Sequence, residues 1–131
     1  MTSTAVAIAT DQAPAALGPY SQAVRAGDYI YVSGQLGIDA STGTLAPDAA
    51  GQTAQAIRNI AAILAAAELS LADVVKTTVL LADIADFAAV NQVYANHFTA
   101  TPLPARATYQ VAKLPMAALV EIEAIGFSLR R

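Results

Sequence analysis

The sequence predicts an α+β fold in which a mixed or mostly antiparallel sheet carries two helices on one face. Three observations support this fold class: short alternating apolar segments typical of strands, two longer segments with apolar residues at helical spacing, and Gly, Pro and Asp between them. The predicted order is β-β-β-α-β-α-β-β. Because no further element is available for the second face of the sheet, a partner subunit is its simplest cover.

Three strands are predicted ahead of the first helix. They cover residues 5–10, 21–25 and 28–33. Gly27 supplies the short turn that makes the second and third strands a hairpin. Tyr20 emerges from the Gly-Pro turn before this hairpin. Gly34 follows the hairpin, at a position where the backbone can come close to a ligand or a neighbouring strand.

Two helices enclose the fourth predicted strand. The helices cover residues 48–68 and 83–98, and the strand covers residues 73–81. Their apolar stripes are Ile57, Ile60, Leu64 and Ala67 in the first helix, and Phe87, Val90, Tyr94 and Phe98 in the second. Asp48 and Asp83 are the predicted caps. Asn91 lies beside the second stripe.

The last two predicted strands carry one arginine and two glutamates. Arg106 opens the first of them, and Glu121 and Glu123 begin a strand whose face becomes apolar further on. A hairpin about Leu114-Pro115 would set Glu121 opposite Gln110 and leave Arg106 about 13 Å away. That separation is too large for one small ligand, so we expect a second chain to bring the two charged groups together at a subunit interface.

Length and composition predict one domain, residues 1–131, with enough apolar material for a core. Hydrophobic residues make up 56% of the chain and charged residues 13%, which argues against disorder. Much of the apolar content is alanine, which buries little area per residue. Because a packed subunit contact would help to stabilise so small a fold, we expect a homo-oligomer.

Charge and residue content also exclude several function classes. A formal net charge of −3 with seven Lys and Arg residues leaves no broad basic surface for nucleic acid. With no cysteine and with His97 as the single histidine, neither a disulfide nor a His/Cys metal site is predicted. The first residues lack the pattern of a secretory signal and no apolar run approaches a membrane span, so we expect a soluble cytoplasmic protein.

A few polar side chains are candidates for chemistry. Arg106 is the best anchor for an anionic substrate, because a guanidinium offers paired donors that match a carboxylate. Glu121 could position or activate a water molecule, and Glu123 could do so equally on pattern alone. Neutral hydrogen bonds could come from Tyr20, Ser33 and Asn91. The structural alternatives are an ion pair for the arginine, solvated strand positions for the glutamates, and packing or capping for the others.

Several dispersed motifs occur in one order along nearly the whole chain. They are Ala13-Pro14, Gly18-Pro19-Tyr20-Ser21-Gln22, Ser33-Gly34-Gln35, Val74-Val75-Lys76-Thr77-Thr78-Val79, Val90-Asn91, Pro104-Ala105-Arg106 and Glu121-Ile122-Glu123-Ala124. In these motifs the sequence resembles the RidA family, also called YjgF, of reactive-intermediate deaminases. The resemblance implies a chorismate-mutase-like α+β fold and a homotrimer with clefts between subunits.

The resemblance also implies an activity and roles for individual residues. Members that retain the arginine hydrolyse 2-imino acids such as 2-iminopropanoate and 2-iminobutanoate, or enamine tautomers such as 2-aminoacrylate, to 2-oxo acids and ammonia without a cofactor. Arg106 would clamp the substrate carboxylate, and Glu121 would hold and activate the attacking water. The cleft would be lined by Tyr20, Ser33, Gly34, Asn91 and Thr108. Thr108 stands where the family often has cysteine, which keeps the backbone donor but changes the side chain.

Two other function classes stay open on the sequence. A non-enzymatic module that binds 2-oxo acids or other carboxylates would keep Arg106 but would not depend on Glu121. An RNA-cleaving or translation-inhibiting protein, an activity attributed to some relatives, is the least favoured class because of the acidic balance and the single histidine.

Overall fold

The computed structural model describes residues 5–129. The strands are β1 (Ala5–Ile8), β2 (Ala23–Ala26), β3 (Tyr29–Leu36), β4 (Ile38–Asp39), β5 (Thr44–Leu45), β6 (Val74–Leu81), β7 (Ala105–Gln110) and β8 (Val120–Phe127). The helices are α1 (Ala49–Ala66) and α2 (Phe87–His97), and short 3₁₀ turns lie at Leu71–Asp73, Ile84–Asp86 and Pro115–Ala117. Over residues 5–129, neither helix combines the length and apolarity needed to cross a membrane.

Within residues 5–129 the main sheet has six strands in the order β1-β2-β3-β8-β6-β7, and neighbours are antiparallel except β6 and β7. Both helices pack on one face: α1 contacts β3, β8 and α2, and the Tyr94 hydroxyl on α2 lies 2.7 Å from the Thr77 hydroxyl on β6. The predicted fold class, the order of the main elements and the single-sided helices are therefore confirmed. β4 and β5 add a small separate hairpin between β3 and α1, where the sequence predicts no strand.

Helix α1 forms where the longest helix was predicted. The Asp48 side chain accepts a hydrogen bond from the Gly51 N–H at 2.7 Å and so caps the helix. Ile57, Ile60 and Leu64 are fully buried. Burying a side chain of this size contributes roughly 1.5–3 kcal/mol, so the apolar stripe holds α1 on the sheet.

The prediction that the last two strands pair as a hairpin about Leu114-Pro115 is wrong. Strand β6 lies between β7 and β8, because the β6-α2-β7 crossover places β7 parallel to β6 at the sheet edge. The connection from β7 to β8 then passes over the end of β6. There the Val111 N–H donates to the Leu81 carbonyl at 2.9 Å, and the Ala82 N–H donates to the Leu119 carbonyl at 3.0 Å.

Among the residues that the structure describes, no element covers the sheet face opposite the helices, here called the open face. Tyr29, Tyr31 and Tyr109 lie on it with exposed fractions of 43%, 48% and 50%. Exposed rings on a strand face are typical of surfaces that another protein covers. Cover by a partner subunit stays a prediction, and these rings are compatible with it.

Two buried glutamine side chains fix the loops at the end of β3. The Gln22 amide donates to the carbonyls of Thr10 at 3.0 Å and Pro14 at 2.8 Å, which shapes the loop between β1 and β2. The Gln52 side chain on α1 accepts a hydrogen bond from the Leu119 N–H at 2.8 Å, which holds the connection between β7 and β8. Because buried amides require partners, these hydrogen bonds specify where both loops lie.

Candidate functional site

The side chain of Arg106 lies on the helix face of β7, at the edge of the sheet. Its Nη1 donates a hydrogen bond to Oδ1 of Asn91 on α2 at 2.7 Å. The guanidinium carbon is 4.8 Å from the centre of the Tyr94 ring and 5.7 Å from that of the Phe87 ring. This hydrogen-bond partner is an uncharged amide rather than the carboxylate of a structural ion pair, so it leaves the positive charge available to a ligand.

Glu121 lies in a pocket of about 440 Å³ at the end of β3. Tyr20 and Gly34 line the same pocket, so the structure brings three of the predicted site residues together. Strand β3 bulges here, because Ser33 and Gly34 together oppose Glu123 on β8. A Cβ at position 34 would lie 2.9 Å from the Glu121 Cδ, so glycine leaves the room that this carboxylate needs.

The Glu121 carboxyl group is half-buried, and this burial raises its pKa. The negative charge of Glu123 raises the pKa of Glu121 further. A carboxylate with a raised pKa is a better proton acceptor near neutral pH than an ordinary surface glutamate. Glu123 itself is exposed and lines a different cavity, so the structure favours Glu121 among the two alternatives.

Ser33 lines that other cavity, of about 370 Å³, together with Lys76 and Glu123. The Ser33 hydroxyl donates to the Ser21 carbonyl at 2.6 Å, and its N–H donates to the Gln22 carbonyl at 2.9 Å. Within one chain Ser33 therefore holds the loop before β2, beside the pocket of Glu121 rather than in its lining.

Thr108 lies on the helix face of β7, two residues after Arg106 and beside Val79 of β6. Its Oγ1 is buried and has no hydrogen-bond partner among the residues that the structure describes. An unpaired buried hydroxyl costs roughly 1–3 kcal/mol. Buried polar groups are nearly always hydrogen-bonded, and a role in the functional site is one explanation for an unpaired Thr108 hydroxyl.

Apart from Ser33 and Glu123, the predicted site residues form two groups on opposite sides of the sheet. Arg106 pairs with Thr77 of β6, whereas Glu121 pairs with Leu80. Two strand spacings and three residues along β6 put the Cα atoms of Arg106 and Glu121 on the order of 14 Å apart. The two groups therefore do not converge within one chain. The arginine group is Asn91, Arg106 and Thr108, and the glutamate group is Tyr20, Gly34 and Glu121.

Several side chains at these groups were not predicted as site residues, among them four of the larger apolar ones. Leu17 and Met116 line the pocket of Glu121, and Phe87 and Tyr94 flank the arginine. Both rings lie at helical spacing from Asn91, which could have revealed them, but they were assigned to the apolar stripe. No sequence signal marks Leu17 or Met116. The backbone of Met116 is left-handed, with a φ of 58°, in the turn that borders the pocket.

No group of three or more His, Asp or Glu side chains within residues 5–129 is arranged to hold a metal ion. His97 lines a largely apolar cavity of about 400 Å³ that contains no member of either site group. The histidine at the end of α2 is therefore separate from both the arginine and the glutamate.

Comparison with known proteins identifies the family. The profile of the family described as endoribonuclease L-PSP matches residues 10–127. The 2-iminobutanoate/2-iminopropanoate deaminase of Mus musculus is 55% identical over 120 residues, which cover 91% of this chain and 88% of that protein. RidA from Psychrobacter sp. PAMC 21119 has a crystal structure with a TM-score of 0.90 and 49% identity, covering 94% of this chain and 99% of that chain. The chain belongs to the RidA family.

A further similar solved structure is that of E. coli TdcF with bound serine. It has a TM-score of 0.91 and 40% identity, covering 94% of this chain and 98% of that chain. The family resemblance and the enzyme class predicted from the sequence are confirmed by these relatives.

Proposed function

We propose that this chain hydrolyses 2-imino acids to 2-oxo acids and ammonia. The observation that carries the proposal is the Glu121 carboxyl group, whose pKa is raised in a pocket beside Tyr20 and Gly34. The name of the 55% identical Mus musculus relative supports the same chemistry. The proposed substrates are 2-iminopropanoate, its enamine tautomer 2-aminoacrylate, and 2-iminobutanoate.

In the proposed reaction Arg106 binds the substrate carboxylate through guanidinium N–H groups that are not donated to Asn91. Glu121 accepts a proton from a water molecule while the water oxygen bonds to the imine carbon and the C=N bond becomes single. The proton passes to the nitrogen and gives a carbinolamine. The hydroxyl proton of this intermediate then moves to the nitrogen as the C=O bond forms and the C–N bond breaks, so ammonia leaves and the 2-oxo acid remains. Because an imine carbon is already electrophilic, orientation, a placed water and proton transfer suffice, and no cofactor is proposed.

The remaining predicted residues have supporting roles in this proposal. The Tyr20 side chain, 54% exposed, offers a hydroxyl at the pocket that holds Glu121. The bulge at Gly34 gives the carboxylate its space. Thr108 offers a backbone donor near the arginine, and Ser33 supports the loop that carries Tyr20.

The proposed site is shared between subunits of a homotrimer. Support comes from the positions of Arg106 and Glu121 on opposite sides of one sheet, and from the exposed rings of the open face. In this arrangement one subunit contributes the arginine and its neighbour contributes the glutamate. A molecular mass from light scattering tests the number of subunits.

A carboxylate-binding module is the second candidate function. It is favoured by one observation, the serine bound in the similar structure of E. coli TdcF. RNA cleavage has less support, because His97 lies in a cavity apart from Arg106 and Glu121.

The decay of enzymatically generated 2-aminoacrylate or 2-iminobutanoate, compared with the spontaneous rate, tests the proposal. We expect the wild type to accelerate the decay and Arg106→Ala to lose the acceleration. Glu121→Gln should keep 2-oxo acid binding and lose turnover, which separates an enzyme from a binding module. No acceleration by a folded wild-type oligomer would contradict the deaminase proposal, and unchanged turnover in Glu121→Gln would remove Glu121 as the water-activating group.

A further inference from the structure

An arginine at the exposed edge of a sheet needs support if it is to hold a ligand in one orientation. Arg106 is exposed on the edge strand β7, and a free arginine side chain populates many rotamers. One face of α2 lies against this side chain. It presents Phe87, Asn91 and Tyr94, which are four and three residues apart and so share one side of the helix.

We propose that Phe87 and Tyr94 form an aromatic cradle that positions Arg106 to receive the substrate carboxylate. The guanidinium carbon lies 4.8 Å from the Tyr94 ring centre and 5.7 Å from the Phe87 ring centre, both within the range of cation–π attraction. This inference deepens the proposed function, on which it rests. The two rings act through the arginine, so they are positioning residues rather than catalytic ones.

The hydrogen bond to Asn91 decides which edge of the guanidinium is left for the ligand. Arg106 donates from Nη1 to Asn91 Oδ1 at 2.7 Å. An arginine has five N–H groups, and a carboxylate binds two of them side by side. Nη1 keeps a second N–H, but the edge formed by Nε and Nη2 takes no part in the bond to Asn91, and we assign bidentate binding of the substrate carboxylate to that edge.

The two rings differ in how firmly they are held. Tyr94 is 8% exposed, its hydroxyl lies 2.7 Å from the Thr77 hydroxyl in a buried pair, and its ring stacks on Phe98 at 4.5 Å. Phe87 is 38% exposed at the start of α2. Tyr94 is therefore a rigid support fixed to β6, whereas Phe87 can be replaced with little disturbance of the core.

Binding of 2-oxobutanoate by titration calorimetry tests the cradle without requiring turnover. The matching probe is 2-oxobutanamide, which has the same shape but no carboxylate charge. Phe87→Leu should weaken 2-oxobutanoate binding about twofold to fivefold, and Tyr94→Leu up to about thirtyfold, in line with cation–π attraction at exposed and desolvated sites. Tyr94→Phe keeps the ring and should stay within about twofold of wild type. Amide binding should not change in any of them.

Ile84→Ala is the matched control, because Ile84 is a large exposed apolar side chain in the turn before α2 and is not one of the rings that flank the arginine. It should bind both probes as the wild type does, and melting temperatures will show that each variant is folded.

Wild-type binding in Phe87→Leu, or an equal loss in Tyr94→Phe and Tyr94→Leu, would overturn the cradle. A wild type that binds 2-oxobutanoate but does not accelerate imine decay would remove the deaminase proposal and keep the cradle, whereas one that binds no 2-oxobutanoate would overturn both.

Discussion

Mixing two inactive variants tests whether Arg106 and Glu121 act from different chains. Arg106→Ala removes the proposed carboxylate clamp and Glu121→Gln removes the proposed proton acceptor, so each variant alone should be inactive. Within one chain the two Cα atoms are on the order of 14 Å apart and the side chains lie on opposite sides of the sheet. In a shared site, however, an Arg106→Ala chain still contributes Glu121, and a Glu121→Gln chain still contributes Arg106.

Random assembly fixes the activity that such a mixture should recover. At equal amounts, half of the chains offer the arginine and half of the neighbours offer the glutamate, so about one quarter of the sites are intact. At nine to one, about one tenth are intact. This result holds for any closed ring in which each site is shared by two neighbours, so it does not depend on the trimer.

The assay is imine decay after the two variants have been unfolded and refolded together, with each variant refolded alone as the baseline. Wild type mixed with the double variant Arg106→Ala/Glu121→Gln is the matched control. A shared site predicts about one quarter of full activity for an equal mixture of these two, and a site within one chain predicts about one half. A mixture of the two single variants that stays at baseline, together with one half in the control, would refute the shared site.

Three further predictions concern single substitutions. Burial raises the pKa of Glu121, so that carboxyl group stabilises the fold at pH values below its usual pKa range, and this stabilisation is lost as the pH rises through the folded-state pKa. Glu121→Gln should remove the loss, measured as the free energy of urea unfolding between pH 4 and 8. An unchanged pH dependence would contradict the raised pKa. Gly34→Ala places a Cβ 2.9 Å from the Glu121 Cδ. Because the carboxylate can rotate away from this Cβ, we expect the variant to fold and its kcat/KM for imine hydrolysis to fall at least about tenfold. Full activity would contradict the close approach of the two residues. Thr108→Val removes a buried hydroxyl that has no hydrogen-bond partner among the described residues. This change should raise the free energy of unfolding by about 1 kcal/mol. A loss of stability in thermal unfolding would mean that the hydroxyl has a hydrogen-bond partner.

The elements could be predicted from the sequence because their signals are local. Strand alternation, helical spacing and the Asp48 cap each depend on a few neighbouring residues, and all three agree with the structure. The neighbours of β7 and β8 could not be predicted, because consecutive strands usually pair and nothing in the local sequence shows that β6 inserts between them. The hydrogen bonds of Val111 and Ala82 at the end of β6 are contacts between distant segments.

The candidate site, like the fold, could be predicted from the sequence only in part. Arg106 and Glu121 were predicted from charge and strand position, but the closeness of Glu121 to Gly34 depends on a bulge that simple alternation does not contain. Phe87 and Tyr94 were predicted as core, and Tyr94 is indeed buried. Their additional contact with the arginine arises because the tertiary structure places β7 under α2, and the local sequence does not show this arrangement.

Both halves of the proposed site are built within the single chain, and this bears on how the enzyme would assemble. The arginine rests on α2 through Asn91 and two rings, and the glutamate is held beside a bulge whose surrounding loops are fixed by Gln22 and Gln52. Docking two preformed surfaces loses less conformational entropy than ordering them on contact. Assembly would therefore need little rearrangement of either half, so activity should follow the fraction of associated chains directly. A lag between subunit association and the appearance of activity would indicate that one half is ordered only after contact.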